Sequence, residues 1–586
     1  TAKLAHAFGR SVGSLAHAQS ARIAASHRLA ISELGAASRC FSTKKKGKEA
    51  AAAAADEVAE GPDDESYMRA RWADLERMQS HDNSFQLYPP TFMATKSIAS
   101  FNADFASLGP EERKPETVVR IAGRITSIRR SGKSLVFLQL KGDNCELQVM
   151  CDRQNFGGDF EFLLSPPASG EDKSAGRGLR RGDVVGVDGF PGRNKRGELC
   201  CFGTKLLLLA PCVRLLPKEH FGLKDPDQRY RNRHLDLLAN PPVPAIFQDR
   251  AAIIRRMRSF LDERGFVEVE TPVLAAAACG AAARPFVTKS QALGAELFLR
   301  VAPELYLKRL VIGGLDRVYE LGKCFRNEGV DATHNPEFTS VEAYMAYADY
   351  EDWMRLTEDM IPSIARAVVG ATCVPCSHLA GEGKGDVMIE LAGPYRRLDF
   401  LDSIASATGA ALPDATLLET PDAIAFLADL CKKNGLRTEG DKGGTGTAPQ
   451  LLDRLVGALV EPDLVQPTFL MHQPLCMSPL AKEHRSKPGV AERFELFVAR
   501  REIANAYSEL NDPRVQRVRF QAQAAQKVQD GEAQEGDESF CQALEYGMPP
   551  TAGWGVGVDR LCMLLMNLQS IREVVLFPAM RPSPNH

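Results

Sequence analysis

Short runs that alternate apolar and polar residues fill residues 118–216 and are separated by turns that contain glycine. The clearest runs lie at residues 118–122, 135–138 and 146–150. A period of two is typical of half-buried β-strands, because successive side chains of a strand point to opposite faces. Several short strands at this spacing predict a small closed barrel, and the length fits an OB-fold over residues 118–216.

The segments on either side of this barrel have a different pattern. Residues 68–78 carry apolar side chains at helical spacing, which predicts one short amphipathic helix in an arm of residues 67–117. After a linker at residues 217–228, residues 229–586 mix helical and strand patterns without strict alternation. This mixture favours an α+β domain built on an antiparallel sheet over a doubly wound nucleotide fold. Neither a Gly-Lys-Ser/Thr phosphate loop nor a strand-linked G-x-G-x-x-G is present, so any ATP must be held differently.

The first residues of the chain have the composition of an organellar presequence. Residues 1–48 contain nine Lys or Arg and one acid, Glu33, among many Ala and Ser. Because residues 39–42 also look like a processing site, we expect a mitochondrial location. There are two alternatives. The protein could lie in a plastid-type organelle, or it could be cytoplasmic with a basic tail that helps to hold RNA. Residues 49–66 are rich in alanine and acids and are interpreted as a linker.

Charge and cysteine content exclude several classes of protein. The formal net charge of -3 argues against a protein that coats nucleic acid by bulk charge, so any RNA contact must be local. No apolar run approaches the length of a membrane span, and we expect no membrane partner. The 14 cysteines do not resemble a disulfide scaffold. Cys373 and Cys376 form a C-x-x-C without a second ligand pair, and we interpret them as two loop cysteines rather than a zinc site.

The most informative segment of the chain runs from residue 317 to residue 347. Its flanks have strand patterns and its middle is charged, which predicts a loop between two paired strands. Side chains alternate along a strand, so Phe338, Glu342 and Tyr344 would share one face. That face would offer a stacking ring, a carboxylate and a phenol.

The sequence of this segment resembles motif 2 of the class II aminoacyl-tRNA synthetases. The runs F-R-N-E-G, H-N-P-E-F and E-x-Y match the lysyl enzymes in particular. Residues 229–237 and 265–272 resemble motif 1, which forms the dimer interface in the family, and residues 551–560 resemble motif 3. The resemblance implies an α+β antiparallel-sheet catalytic domain preceded by an OB-fold. It also implies a homodimer that uses ATP and Mg²⁺ to activate L-lysine and esterify tRNA-Lys.

The same resemblance implies a role for each residue of the nucleotide site. In adenylate formation the lysine carboxylate attacks the α-phosphorus and pyrophosphate leaves, so positioning and charge neutralisation dominate. Arg326 would bind the α-phosphate and the lysine carboxylate, which suits a planar guanidinium, and Arg560 would pack on the other side of the nucleotide. These two arginines would be the catalytic residues. ATP binding is implied for Arg326, Glu328, His334, Phe338, Glu495 and Arg560, and metal binding for Glu495 and Glu502.

The lysine pocket is implied downstream as well. Asn505, Tyr507 and Glu509 alternate along a strand pattern and can therefore face one pocket, and a buried ammonium needs several acceptors. Glu342 and Glu509 would share one ammonium and, without lysine, would repel each other. The residues implied for lysine binding are Gly280 and Glu304 for the α-amino group, Glu342, Tyr344 and Glu509 for the ε-ammonium, Asn505 and Arg326 for the carboxylate, and Tyr507 beside them.

The barrel carries the candidates for anticodon recognition. OB-fold sheets stack bases on aromatic rings beside basic groups, and here Phe137, Gln148, Arg124 and Arg129 are the candidates. From the residues alone, a core role for Phe137 and solvated arginines are favoured, and the resemblance reverses that preference.

Two departures from the family pattern and two rival functions remain open. Cys279 stands where members commonly have a glycine, and Ala499, Arg500 and Arg501 precede Glu502 where bacterial members have glycines. One rival is a catalytically silent RNA-binding paralogue, which the retained arginines and carboxylates disfavour. The other is an aspartyl or asparaginyl enzyme, which the acidic amino-acid pocket disfavours.

Overall fold

The structure, a computed structural model, describes residues 64–81, 86–158, 160, 163, 178–217, 222–276, 283–380, 385–440, 444–529 and 537–582. The presequence-like segment, most of the linker that follows it, Cys279 and Gly280 lie outside these residues. The chain divides into two compact units, one ending at Pro244 and one beginning at Ala245.

The first unit contains a closed five-stranded barrel, which confirms the predicted OB-type architecture. The strands follow the order β1-β2-β3-β5-β4, in which β3 and β5 run parallel and the other neighbours run antiparallel. Asp143 and Asn144 join β2 to β3 with φ of 52° and 59°, the left-handed pair that a tight hairpin requires. The strands are β1 (Val119–Ser131), β2 (Leu135–Gly142), β3 (Cys145–Asp152), β4 (Val184–Arg193) and β5 (Leu199–Ala210).

The helical arm contains a longer helix than the predicted residues 68–78, and it is held by buried charges as well as apolar contacts. Its first helix contributes Leu75 and Met78 to the barrel core. Arg71 on the same helix forms a fully buried ion pair with Asp183 at 2.8 Å. The helices of this part of the chain are α1 (Asp64–His81), α2 (Ile98–Asp104), α3 (Pro226–Arg231) and α4 (Arg233–Ala239).

The second unit is built on a sheet of eight described strands in the order β14-β15-β16-β17-β18-β11-β10-β6. Its two outer pairs are parallel and the inner pairs are antiparallel, which confirms the α+β prediction. The strands of this unit are β6 (Val267–Glu268), β7 (Leu274–Ala275), β8 (Val287–Ser290), β9 (Ala295–Leu299), β10 (Arg317–Phe325), β11 (Glu337–Ala346), β12 (Cys373–Cys376), β13 (Val387–Glu390), β14 (Arg396–Asp399), β15 (Thr468–Met471), β16 (Arg493–Val498), β17 (Arg501–Ser508) and β18 (Thr551–Gly557).

Helices cover one face of this sheet. Trp353 stacks on Trp554 with ring centroids 5.1 Å apart, and its indole nitrogen donates to the Ala552 carbonyl. Because that face is filled by the core, the polar side chains of the same strands must point to the opposite face. The helices are α5 (Val243–Asp262), α6 (Glu304–Ile312), α7 (Tyr350–Val368), α8 (Phe400–Thr408), α9 (Pro421–Lys433), α10 (Ala448–Leu459), α11 (Pro513–Gln529), α12 (Glu538–Leu544), α13 (Val558–Leu565) and α14 (Ile571–Val574), with 3₁₀ turns at Ser377–Leu379, Ala415–Leu417, Glu461–Asp463 and Leu475–Met477.

Two expectations concern single features. The interpretation of Cys373 and Cys376 as loop cysteines is wrong, because they begin and end strand β12, where residues three apart point to opposite faces. Within the described ranges, no helix combines the length and the hydropathy that a membrane crossing requires.

Candidate active site

A cavity of about 370 Å³ opens on the uncovered face of the sheet. Most of the predicted site residues line it, although they come from positions spread over more than half of the second unit. Glu495 and Glu509 are not among the residues that line it, and Gly280 is outside the described residues. The predicted residues that line the cavity are Glu304, Arg326, Glu328, His334, Phe338, Glu342, Tyr344, Glu502, Asn505, Tyr507 and Arg560.

Strand register explains how β11, β18, β17 and β16 bring these groups together. On β11, Val341 and Ala343 enter the core, so the side chains of Glu342 and Tyr344 face the cavity. Two rows then cross the four strands, each with a glycine of β18 in the middle. The first row is Glu342, Gly555, Asn505 and Glu495, and the second is Tyr344, Gly553, Tyr507 and Arg493.

The glycines of β18 make room for the acidic pocket. A Cβ on Gly553 would overlap Glu509 Oε1 and would lie 2.6 Å from Tyr344 Cε1. A Cβ on Gly555 would lie 3.5 Å from Glu342 Cγ, an ordinary contact. Glycine is therefore required at position 553, because a larger residue would displace the side chains of Glu509 and Tyr344.

The floor of the pocket is acidic. Glu342 is partly buried, and this burial, reinforced by the nearby charge of Glu304, raises its pKa to about 8. The Tyr344 hydroxyl donates to Glu342 at 3.3 Å, and the Tyr507 hydroxyl donates to Glu304 at 2.8 Å. Buried carboxylates with raised pKa values favour a cationic ligand, because a positive charge restores their ionised form.

Glu509 has a partner that the sequence did not reveal. Its carboxylate contacts the ammonium of Lys308, and both side chains are fully buried. The expected repulsion from Glu342 is therefore opposed by an attraction to Lys308 that the sequence analysis did not predict. Burial raises the pKa of Glu509 and Lys308 opposes that rise, while Oε1 accepts no hydrogen bond from the described residues. That oxygen is therefore a buried acceptor beside Gly553.

The charged loop between β10 and β11 carries the arginine end of the site, and the antiparallel pairing of these two strands confirms the prediction. The guanidinium of Arg326 lies over the ring of Phe338, 5.2 Å from its centroid. On the other side, Arg560 donates to the Glu502 carbonyl at 3.0 Å and lies 2.9 Å from His334 Nε2. Two arginines thus line the same cavity as Phe338, an arrangement that suits anionic phosphates.

The predicted metal ligands lie on the β16–β17 hairpin. Burial raises the pKa of Glu495 to about 7, Arg493 lowers it, and the charges of Glu502 and Glu461 raise it further. Oxygen-rich clusters of this kind fit a hard cation such as Mg²⁺, which commonly completes its shell with phosphate oxygens and water. Within the described ranges no three His, Cys, Asp or Glu side chains are arranged to hold a metal on their own.

Arg493 is a second residue that sequence reasoning missed. It pairs with Glu495 at 2.5 Å and donates to the side-chain oxygen of Asn505 at 3.2 Å, which links a predicted metal ligand to a predicted lysine-binding residue. Its position two residues before Glu495 on one strand was a usable signal, because such residues share a face. The turn of this hairpin departs from glycine as noted, yet Ala499 and Arg500 still adopt left-handed φ of 53° and 64°.

The anticodon candidates belong to the barrel of the first unit. Val136 and Leu138 fill the barrel core, so Phe137 points outward and is half-buried, against the core role that the residues alone favoured. The Arg129 guanidinium lies 4.8 Å from its ring centroid. Gln148 accepts a hydrogen bond from Asn194, and Arg124 donates to the Gly182 carbonyl at 2.6 Å. Arg124 is therefore tied to the barrel backbone.

Comparison with known families agrees with both units. Residues 225–581 match the tRNA synthetases class II (D, K and N), and residues 119–209 match the OB-fold nucleic acid binding domain. Fold and site thus define a class II tRNA synthetase with an anticodon-binding type of barrel.

Individual relatives narrow the class. Lysine–tRNA ligase cla4 of Cladosporium cladosporioides is 46% identical over 88% of this chain and 84% of its own length. The probable cytoplasmic lysine–tRNA ligase of Encephalitozoon cuniculi is 46% identical over 80% of this chain and 88% of its own length. The lysine–tRNA ligase of Dehalococcoides mccartyi is 42% identical, over 88% and 98%. The chain belongs to the lysine–tRNA ligase family.

Proposed function

We propose that the cavity on the sheet joins L-lysine to ATP as lysyl-adenylate and then transfers the lysyl group to the 3′ end of tRNA-Lys. The observation that carries this proposal is the acidic pocket of Glu304 and Glu342 directly beside Arg326. A pocket for aspartate or asparagine would need cations or amide partners at that depth, whereas buried carboxylates select an ammonium.

Some residues of the site hold the two substrates in place, and others neutralise the negative charge of the phosphates. Arg326 orients the lysine carboxylate against the α-phosphate, while Glu328 and Phe338 hold the adenine. Arg560 and His334 neutralise the phosphates that leave as pyrophosphate, so the reaction proceeds by positioning without a general base.

The same site offers ligands for magnesium. Glu495 and Glu502 would hold it, and its chemistry when bound is to neutralise phosphate oxygens. Arg493 keeps Glu495 aligned and favours its ionised form, because its guanidinium opposes the rise in pKa that burial causes.

Lysine-dependent ATP–pyrophosphate exchange tests the activity. We expect exchange with lysine and none above background with aspartate or asparagine. Exchange driven by either of those amino acids would contradict the assignment, and loss of all exchange with intact tRNA binding would favour the silent paralogue.

Phe137 on the barrel is proposed to stack on an anticodon base, with Arg129 and Gln148 beside it. Because such stacking is worth about 1–3 kcal/mol per base, Phe137→Ala should weaken tRNA charging by roughly ten- to a hundredfold. Lysine-dependent pyrophosphate exchange, which needs no tRNA here, should stay unchanged. An equal fall in both rates would mark Phe137 as a folding residue.

A homodimer through the motif 1 region is also proposed. Strand β6 is an outer strand of the sheet, and both it and the chain that follows it expose apolar side chains. These are Val267, Val273, Leu274, Val287 and Leu293, exposed by 51%, 39%, 48%, 57% and 72%. A monomeric mass by light scattering at micromolar concentration would contradict this proposal.

Residues 1–41 are proposed to direct the protein to mitochondria, on the strength of their basic, alanine-rich and serine-rich composition. Fused to a fluorescent protein, they should deliver it to that organelle. A plastid signal would support the first alternative. A diffuse cytosolic signal, together with weaker tRNA binding after deletion of the segment, would support the basic-tail alternative.

A further inference from the structure

Lys308 on helix α6 is fully buried beside the lysine pocket. Its ammonium contacts Glu304 Oε1 at 2.5 Å and also contacts Glu509 Oε2. The rings of Tyr507 and Phe540 lie 5.7 and 5.8 Å from the same nitrogen, and their faces favour a cation there. The burial lowers the pKa of Lys308, but the two carboxylates outweigh it, so the net shift is upward and the side chain stays charged.

The two carboxylates that Lys308 joins are the ones proposed to receive opposite ends of the substrate. Glu304 would take the α-amino group and Glu509 the ε-ammonium. Lys308 follows Glu304 by four residues on one helix, so the helix fixes its ammonium relative to Glu304. The position of the Glu509 carboxylate relative to Glu304 is therefore set through a single nitrogen atom.

The charges of this cluster also match the substrate. Glu304, Glu342 and Glu509 would carry three negative charges when ionised, and Lys308 cancels one of them. Two negative charges then remain for the two ammonium groups of lysine. Ornithine carries the same two ammonium groups on a shorter chain, so charge alone cannot exclude it and the spacing of the acceptors must.

We propose that Lys308 is a positioning residue that fixes the spacing between Glu304 and Glu509 and thereby makes the pocket select lysine over the shorter diamino acid ornithine. The inference rests on the proposed function. Burying an ammonium is costly unless its partners hold it in good geometry, and a helix such as α6 does not need one for its own stability. The position of Lys308 between the two proposed acceptors, Glu304 and Glu509, explains why its buried ammonium would be retained despite this cost.

Lys308→Met tests this spacing, because methionine has similar length and no charge. Pyrophosphate exchange is measured with lysine and with ornithine. If exchange with ornithine is too slow to measure, the inhibition constant of ornithine against lysine is used instead. One methylene in a pocket is worth about ten- to two-hundredfold in selectivity, and we expect the lysine-to-ornithine ratio of kcat/KM to fall by at least about fivefold. The KM for lysine should rise more than kcat falls, and the KM for ATP should hold.

Lys433→Met is the matched control. Lys433 forms an i,i+4 pair with Asp429 at 2.7 Å on helix α9, but its side chain is 69% exposed. The same substitution there should leave both KM values and the selectivity ratio as in the wild type.

Lys308→Arg keeps the charge and changes the spacing. It also allows the proposal to be tested if the Met variant fails to fold. It should retain more lysine affinity than the Met variant and still show a lower selectivity ratio. An unchanged ratio in whichever of these variants folds would overturn the proposal, even if the thermal midpoint falls. Absence of lysine-dependent exchange in the wild type would instead refute the proposed function.

Discussion

Replacing Arg326 by lysine is expected to lower kcat/KM for lysine-dependent pyrophosphate exchange by about a hundred- to a thousandfold, the usual cost of removing a donor aimed at developing charge. Arg326 lies over Phe338, 5.2 Å from the ring centroid, so the ring supports its guanidinium before substrates bind. Lysine keeps the charge but not the parallel donors that grip a carboxylate and a phosphate together. The loss should fall mainly on kcat, since the negative charge grows in the transition state.

The control for this variant is Arg355→Lys on helix α7, where Arg355 forms an exposed ion pair with Asp352 at 2.5 Å. It should behave as the wild type in exchange and in thermal stability. If Arg326→Lys retains kcat/KM within about threefold, the ratio converts to less than about 1 kcal/mol of transition-state stabilisation. Arg326 would then not be the residue that bridges the two substrates.

The part of the site that the sequence predicted is the part with local period-two patterns. Along β11, Phe338, Glu342 and Tyr344 fall on one face because a strand forces alternation, and no knowledge of the neighbouring strands is needed. The barrel was predictable for the same reason, since strand lengths and turns are short-range features. The resemblance to the family motifs then indicated which distant segments belong to one catalytic domain.

Contacts set by strand order were not predictable. Glu304 and Lys308 read as an ordinary i,i+4 pair, which on most helices lies at the surface. Their burial depends on β17 and α12, which follow much later in the chain and supply Tyr507 and Phe540. The partner of Glu509 therefore could not be read from its neighbours in sequence.

The hairpin before Glu502 shows a different limit. Ala499 and Arg500 stand where bacterial members have glycines, and both residues adopt the left-handed conformation that glycine favours. The backbone of Ala499 is fixed by a hydrogen bond from its amide to the Val465 carbonyl at 2.9 Å, and Arg500 donates likewise to Leu464. Such tertiary hydrogen bonds offset the local preference that a sequence argument can see.

Replacing Glu509 by glutamine is expected to lower lysine activation by at least about a hundredfold, because leaving a buried charge without its partner typically costs about 3–5 kcal/mol. The substitution keeps the size of the side chain and its contact with Gly553. ATP binding should survive, because the adenine and phosphate contacts are assigned to Arg326, Glu328 and Phe338. Pyrophosphate exchange against lysine concentration and the ATP affinity measure these two effects.

The thermal midpoint of Glu509→Gln separates the catalytic from the structural role of this carboxylate. Lys308 loses one of its two anionic partners in the variant but keeps Glu304, so we expect a moderate fall of the midpoint rather than unfolding. Glu538→Gln, which weakens the exposed pair with Arg517, should change neither quantity. A lower midpoint with unchanged lysine dependence would make Glu509 a structural partner of Lys308 alone and would place the ε-ammonium elsewhere. A rise in the midpoint would show that repulsion from Glu342 outweighs the attraction of Lys308 in the free enzyme.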